Sequence, residues 1–99
     1  MAQDTLIASL QNTFQSNKES FYERWSDFVR FKSVSANVEF NQDCINCAAW
    51  CVDWLEAIGF KARLLETDTK PVVFAEFIAS PSAKKVLFYG HYDVQPPEP

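Results

Sequence analysis

The sequence has 99 residues and a formal net charge of −4, and 47% of its residues are hydrophobic and 15% aromatic. This composition predicts a folded chain, and the acidic balance argues against a nucleic-acid-binding surface. No apolar run is long enough to span a bilayer, and the first residues lack the pattern of a signal peptide. Three cysteines without such a signal predict a reduced, cytoplasmic protein rather than a disulfide scaffold.

The pattern of apolar residues in the first third of the chain predicts helices. Residues 1–17 are weakly amphipathic and predict a short helix or an arm. A firmer helix is predicted to begin at Ser16, because Ser16 and Glu19 have the capping-box spacing, and to end near Lys32. Its apolar stripe consists of Phe21, Trp25, Phe28 and Val29.

A second helix is predicted over residues 42–58. Asn41 is its predicted N-cap and Gly59 the residue that follows its end. Phe40 is expected to pack on Ile45 across the first turn. The predicted buried stripe consists of Cys44, Cys47, Ala48, Cys51, Leu55 and Ile58.

Three strands are predicted after these helices. Residues 60–66 and 72–78 alternate between two faces. Residues 85–89 form the third predicted strand, and residues 86–89 within it are apolar on both faces, which is typical of a central strand covered on both sides. The predicted fold class is therefore α/β, with two helices packed on a mixed sheet of at least three strands.

The histidine of the sequence lies directly after the predicted central strand, in Gly90-His91-Tyr92-Asp93. In an extended segment His91 and Asp93 point to the same side, and Gly90 allows a turn or a close approach. A neutral imidazole is a good ligand for a divalent metal when a carboxylate orients its second nitrogen. The alternative is a strand-end histidine with local hydrogen bonds and an aspartate that caps a turn.

Residues 86–97 resemble the first metal motif of a family of zinc peptidases, in which an apolar strand is followed by Gly-His-x-Asp-Val and a proline. The family includes carnosinase-type dipeptidases, acetylornithine deacetylase and succinyl-diaminopimelate desuccinylase. Two further stretches, 31–35 and 54–60, are similar to the family in the same order. The motif reads Val86-Leu87-Phe88-Tyr89-Gly90-His91-Tyr92-Asp93-Val94-Gln95-Pro96-Pro97.

The resemblance implies a metal-dependent hydrolase of peptide or N-acyl amide bonds. It implies that His91 binds one of two divalent ions, with zinc favoured and manganese or cobalt as alternatives, and that Asp93 is the catalytic-site carboxylate that orients it. Residues 1–99 are expected to be the N-terminal portion of the catalytic domain. One imidazole cannot hold a catalytic zinc, so this fragment alone is expected to be inactive. The expected partners are a small peptide or N-acyl amino acid, with no nucleic acid or membrane, and a homodimer of the complete protein stays open.

Two alternatives remain open from the sequence. Cys44 and Cys47 have the spacing of a redox pair, and with Cys51 and His91 they could form a structural zinc site. The simpler interpretation is that these thiols are small apolar groups in a buried helix stripe. A non-catalytic interaction module is the other alternative.

Overall fold

The computed structural model describes residues 2–97, so Met1, Glu98 and Pro99 of the predicted domain lie outside the described residues. The chain divides into two compact units, Met1–Arg30 and Phe31–Pro99. In chain order the elements are α1 (Ala2–Val29), one turn of 3-10 helix (Val38–Phe40), α2 (Asn41–Ala57), β1 (Lys61–Leu65) and β2 (Val72–Glu76).

The first unit consists of α1, a single helix of 28 residues with no buried side chain. The prediction of a new helix at Ser16 is therefore wrong. No glycine or proline occurs between Ala2 and Val29, and a cap residue has to leave the helical conformation, which nothing here forces. Instead, Nδ2 of Asn17 donates to the Thr13 carbonyl oxygen one turn back, at 2.8 Å. Within residues 2–97, neither α1 nor α2 has the length and apolar character needed to cross a membrane.

Helix α2 lies close to its predicted bounds, but its N-terminal cap differs from the prediction. Asn41 already has helical angles (φ −57°, ψ −44°), and the cap is Phe40, which makes no side-chain capping bond. The C-terminal prediction is confirmed, because Gly59 has a φ of +105°. The N–H groups of Gly59 and Phe60 donate to the carbonyls of Glu56 (3.0 Å) and Leu55 (2.9 Å), which completes a Schellman motif.

Strands β1 and β2 form an antiparallel hairpin whose register pairs Lys61 with Glu76 and Leu65 with Val72. The hairpin packs against α2. On the inner face Ala62 lies opposite Ala75, and these small side chains leave room for the helix. The buried apolar residues of this core are Val34, Cys44, Cys47, Ala48 and Ala62.

The predicted third strand is not confirmed. Among residues 2–97 the sheet has two strands and is antiparallel rather than mixed. Residues 86–89 have no regular secondary structure and no strand partner, and they are 75–92% exposed. A strand requires a neighbour to accept its backbone hydrogen bonds, so apolar composition alone could not establish one. The placement of His91 at the end of a central strand is unconfirmed for the same reason.

Candidate functional site

The segment that contains His91 is held against residues 33–35. Val34 and Val94 form a parallel backbone bridge, in which the Val94 N–H donates to the Ser33 carbonyl oxygen at 2.9 Å. The Ser33 hydroxyl donates to the Tyr92 carbonyl oxygen, also at 2.9 Å. Ser33 and Val34 are buried. The backbone of residues 92–94 is therefore fixed by contacts with a segment nearly sixty positions earlier in the chain.

His91 and Asp93 lie together as the sequence predicts. Nδ1 of His91 is 2.8 Å from Oδ1 of Asp93 and 3.1 Å from the Asp93 carbonyl oxygen. The imidazole is exposed, with 73% of its side-chain surface open to solvent, and the carboxylate is 39% exposed. Because both contacts use Nδ1, Nε2 is the ring nitrogen that remains for a further ligand.

The second oxygen of the Asp93 carboxylate accepts a hydrogen bond from Ser35. The Ser35 hydroxyl lies 2.5 Å from Oδ2. This bond is the main cause that lowers the pKa of Asp93 below its ordinary value; burial opposes it, and His91 lowers the pKa further. Asp93 is therefore a carboxylate anion at neutral pH, with one oxygen for Ser35 and one for His91.

Tyr92 points away from the two site residues and anchors the segment. Its hydroxyl donates to the Pro71 carbonyl oxygen at 2.6 Å, beside the start of β2. Its own carbonyl oxygen accepts from Ser33 and, more weakly, from Cys47 Sγ at 3.9 Å. Burial raises the pKa of Tyr92 to about 12, and the neighbouring thiols and Asp93 act in the same direction. Tyr92 is thus a neutral anchor rather than an acid or base near pH 7.

Core packing is confirmed for Cys44 and Cys47, whereas Cys51, which was also predicted to be buried, is half-buried. Cys44 and Cys47 are fully buried, and all three thiols are free. Burial raises the pKa of Cys44 and of Cys47, and it raises the pKa of Cys51 to about 12. A redox pair or a zinc ligand needs a thiolate, so these environments oppose both alternatives.

Gly90 does not have the special role that its position suggested. Its φ is not in the left-handed region, and a Cβ built at Gly90 would meet no atom within 4 Å. Within the described part of the chain, no turn or close approach at this position requires glycine.

A complete metal centre is not assembled by residues 2–97. Among them, no group of three histidine, cysteine, aspartate or glutamate side chains could hold a metal ion. A catalytic zinc takes three protein ligands and a water. Within residues 2–97, His91 and Asp93 therefore do not complete such a centre.

Ser33 and Ser35 are the site residues that sequence reasoning missed. Both lie in the stretch 31–35, which contributed to the family resemblance but received no role. The one feature of the sequence that could have indicated them is the pair of serines on either side of Val34. What they bind depends on a contact across 58 or 59 positions, which spacing along the chain does not reveal.

Comparison with known proteins finds relatives of one kind. The Cys-Gly metallodipeptidase DUG1 of Candida albicans is 33% identical over 103 aligned residues, which cover 91% of this chain and 21% of that protein. The Cys-Gly metallodipeptidases of Schizosaccharomyces pombe and Saccharomyces cerevisiae are each 29% identical, over 91% and 89% of this chain. No family model and no solved structure matches. The chain spans about a fifth of the length of the curated relatives it matches.

Proposed function

The chain belongs to the metallodipeptidase family of these relatives, and from this membership we propose that it carries one corner of a dipeptidase active site. His91 is the proposed metal ligand, and Asp93 is the carboxylate that orients it. Residues 1–99 are proposed to be a portion of the catalytic domain. The relatives do not favour a non-catalytic interaction module, since each is named as an enzyme.

The observation that carries this proposal is the contact between Nδ1 of His91 and Oδ1 of Asp93. A metal-binding histidine usually donates its other N–H to a carboxylate or carbonyl, which fixes the tautomer and strengthens the ligand nitrogen. The donor set here fits a divalent metal of zinc type: an imidazole that is 73% exposed and whose Nε2 is not used by the contacts with Asp93, with an anionic carboxylate behind it. It fits as one ligand, so the other ligands have to come from elsewhere in the working enzyme.

The proposed reaction is hydrolysis of the amide bond of a small peptide or N-acyl amino acid. When two divalent ions, with zinc favoured, are bound, they supply a water of lowered pKa and polarise the amide carbonyl. His91 would offer the lone pair of Nε2 to one of the ions. Asp93 accepts a hydrogen bond from Nδ1–H, keeps the ring in one orientation and would balance part of the positive charge of the ion. The relatives are named for Cys-Gly, so this dipeptide is the first substrate to test.

The test uses the full-length product of the gene that encodes this chain, loaded with zinc. We expect it to hydrolyse Cys-Gly, and we expect His91→Ala to lose bound zinc and to lower kcat by more than about 100-fold. Lys85→Ala, in an exposed part of the chain, is the matched control and should behave as wild type. An active His91→Ala enzyme with unchanged zinc content would overturn the proposal.

Location, metal identity and assembly belong to the same proposal. Three free thiols, two of them fully buried, support a reducing cytoplasmic location. Elemental analysis of the protein purified from its source separates zinc from manganese and cobalt. A homodimer stays a prediction from the family resemblance, and light scattering of the full-length product tests it.

A further inference from the structure

We infer that Ser35 is a positioning residue for the metal-binding histidine: its hydroxyl holds Asp93 so that the carboxylate presents Oδ1 to Nδ1 of His91. The inference rests on the proposed function, because it adds a residue to the same site. It gives Ser35 a task beyond the backbone contacts of Ser33 and Val34 with residues 92–94.

The first step concerns the two oxygens of Asp93. Oδ1 lies 2.8 Å from Nδ1 of His91, and Oδ2 lies 2.5 Å from the Ser35 hydroxyl. A carboxylate held at one oxygen can rotate about its terminal torsion, which has a broad energy minimum. Hydrogen bonds at both oxygens fix the plane of the group. Ser35 therefore restricts the rotation that would take Oδ1 away from the imidazole.

The second step concerns competition at the imidazole. Nδ1 of His91 also lies 3.1 Å from the Asp93 backbone carbonyl oxygen. If the carboxylate rotates away, this neutral carbonyl is the acceptor that remains. Hydrogen bonds to a charged acceptor are roughly twice as strong as those between neutral groups. Ser35 thus keeps the ring paired with the acceptor that makes Nε2 the stronger ligand.

The third step concerns how Ser35 itself is placed. It follows Val34, which is buried and forms the backbone bridge with Val94. The preceding residue, Ser33, is bonded to the Tyr92 carbonyl oxygen. Two contacts besides the Ser35–Asp93 bond therefore join residues 33–35 to residues 92–94, and Ser35 is half-buried on a backbone that these contacts hold. The serine is pre-organised, so little conformational entropy opposes its bond to Asp93.

The test compares Ser35→Ala with Ser35→Thr in the full-length product. We expect Ser35→Ala to weaken zinc binding by about tenfold or more, measured by competition with a chelator, and to lower kcat with little change in KM. Ser35→Thr keeps the hydroxyl and should restore both values. Ser82→Ala removes a hydroxyl in an exposed turn and is the matched control. Wild-type zinc affinity in Ser35→Ala, or failure of Ser35→Thr to restore it, would overturn the inference.

A second measurement separates this inference from the proposed function. In zinc-free protein labelled with [15N]histidine, the His91 ring signals are identified by their absence in His91→Ala. We expect a protected Nδ1–H signal that Ser35→Ala weakens or shifts and Ser35→Thr restores. If that signal responds but no dipeptide is hydrolysed, Ser35 positions His91 and the proposed function fails. If the signal ignores Ser35 while hydrolysis depends on His91, the inference fails and the proposed function stands.

Discussion

Nδ1 of His91 lies 2.8 Å from Oδ1 of Asp93, and the single residue between them, Tyr92, bonds in another direction to the Pro71 carbonyl. An extended tripeptide produces this arrangement because alternate side chains point to the same side. The outer residues present polar groups to solvent, and the middle one fixes the segment to the hairpin. Tyr92 therefore helps to hold His91 and Asp93 in place, although its own side chain takes no part in their contact.

The carboxylate of Asp93 predicts a defined effect on metal binding. Asp93→Asn keeps the size of the side chain but removes its negative charge, so the Nδ1 proton of His91 loses its charged acceptor. We expect zinc affinity of the full-length product to fall roughly 10–100-fold, measured by chelator competition. Asp68→Asn, in an exposed turn, is the matched control. Equal affinities in Asp93→Asn and wild type would show that the pair does not support the ligand.

The buried thiols are predicted to be unreactive in the folded chain. Burial raises the pKa of Cys51 to about 12, so at pH 8 its thiol is almost entirely protonated. The pKa values of Cys44 and Cys47 are raised as well. With a disulfide reagent such as DTNB, we expect slow labelling in buffer and rapid labelling of three thiols in guanidinium chloride. Fast labelling of Cys44 and Cys47 under native conditions would revive the redox alternative.

We expect the substitution Tyr92→Phe to lower the free energy of unfolding near neutral pH. Tyr92→Phe removes the donor to the Pro71 carbonyl oxygen, and such a bond contributes about 1 kcal/mol. Denaturant unfolding at pH 8 measures the difference. An unchanged unfolding midpoint in Tyr92→Phe would show that the hydroxyl does not anchor the segment.

We also expect the contribution of Tyr92 to the stability of wild type to depend on pH. The pKa of Tyr92 is about 12 in the folded state and about 10 in an unfolded chain. The unfolded state therefore loses its proton first, and the contribution of Tyr92 to stability, complete below pH 10, is lost as the pH rises through 12. We expect wild type to lose its advantage over Tyr92→Phe between these values. A constant difference between the two proteins over that range would contradict this.

We expect substitution by alanine to change the stability of the chain differently at Gly59, which ends α2, and at Gly90. Gly59 has a φ of +105°, which costs an L-residue about 1–2 kcal/mol, although a Cβ there would meet only the Phe77 ring at 4.0 Å. We expect Gly59→Ala to lower the free energy of unfolding by that amount. Gly90→Ala is the matched control, since its Cβ would meet nothing. Equal stabilities of Gly59→Ala and Gly90→Ala would indicate that the helix end relaxes without strain.

The parts of this structure that sequence predicts are the local ones. The end of α2 at Gly59 and the contact of His91 with Asp93 were predicted correctly, because each feature depends on residues within a few positions of each other. The capping-box pattern at Ser16 failed because no glycine or proline interrupts the helix on either side of it. Residues 85–89 have strand composition, yet a strand is a property of two segments, and the described chain supplies no second one.

Ser35 shows the same limit within the site. A serine at this position predicts no particular role from the sequence alone. The role of Ser35 follows from its hydrogen bond to Asp93, which lies 58 positions later in the chain. The resemblance of residues 31–35 to the family singled out the stretch, but only the folded structure brings it to Asp93. Long-range pairing, rather than motif spacing, therefore decides which residues complete this corner of the site.

The most direct test of His91 as a metal ligand is a crystal structure of the zinc-loaded, full-length product with anomalous diffraction data at the zinc edge. We expect an anomalous peak about 2.0–2.1 Å from Nε2 of His91, with Nδ1 still bonded to Asp93. A fully occupied zinc site that does not include His91, or one that binds the ring through Nδ1 and displaces Asp93, would contradict it.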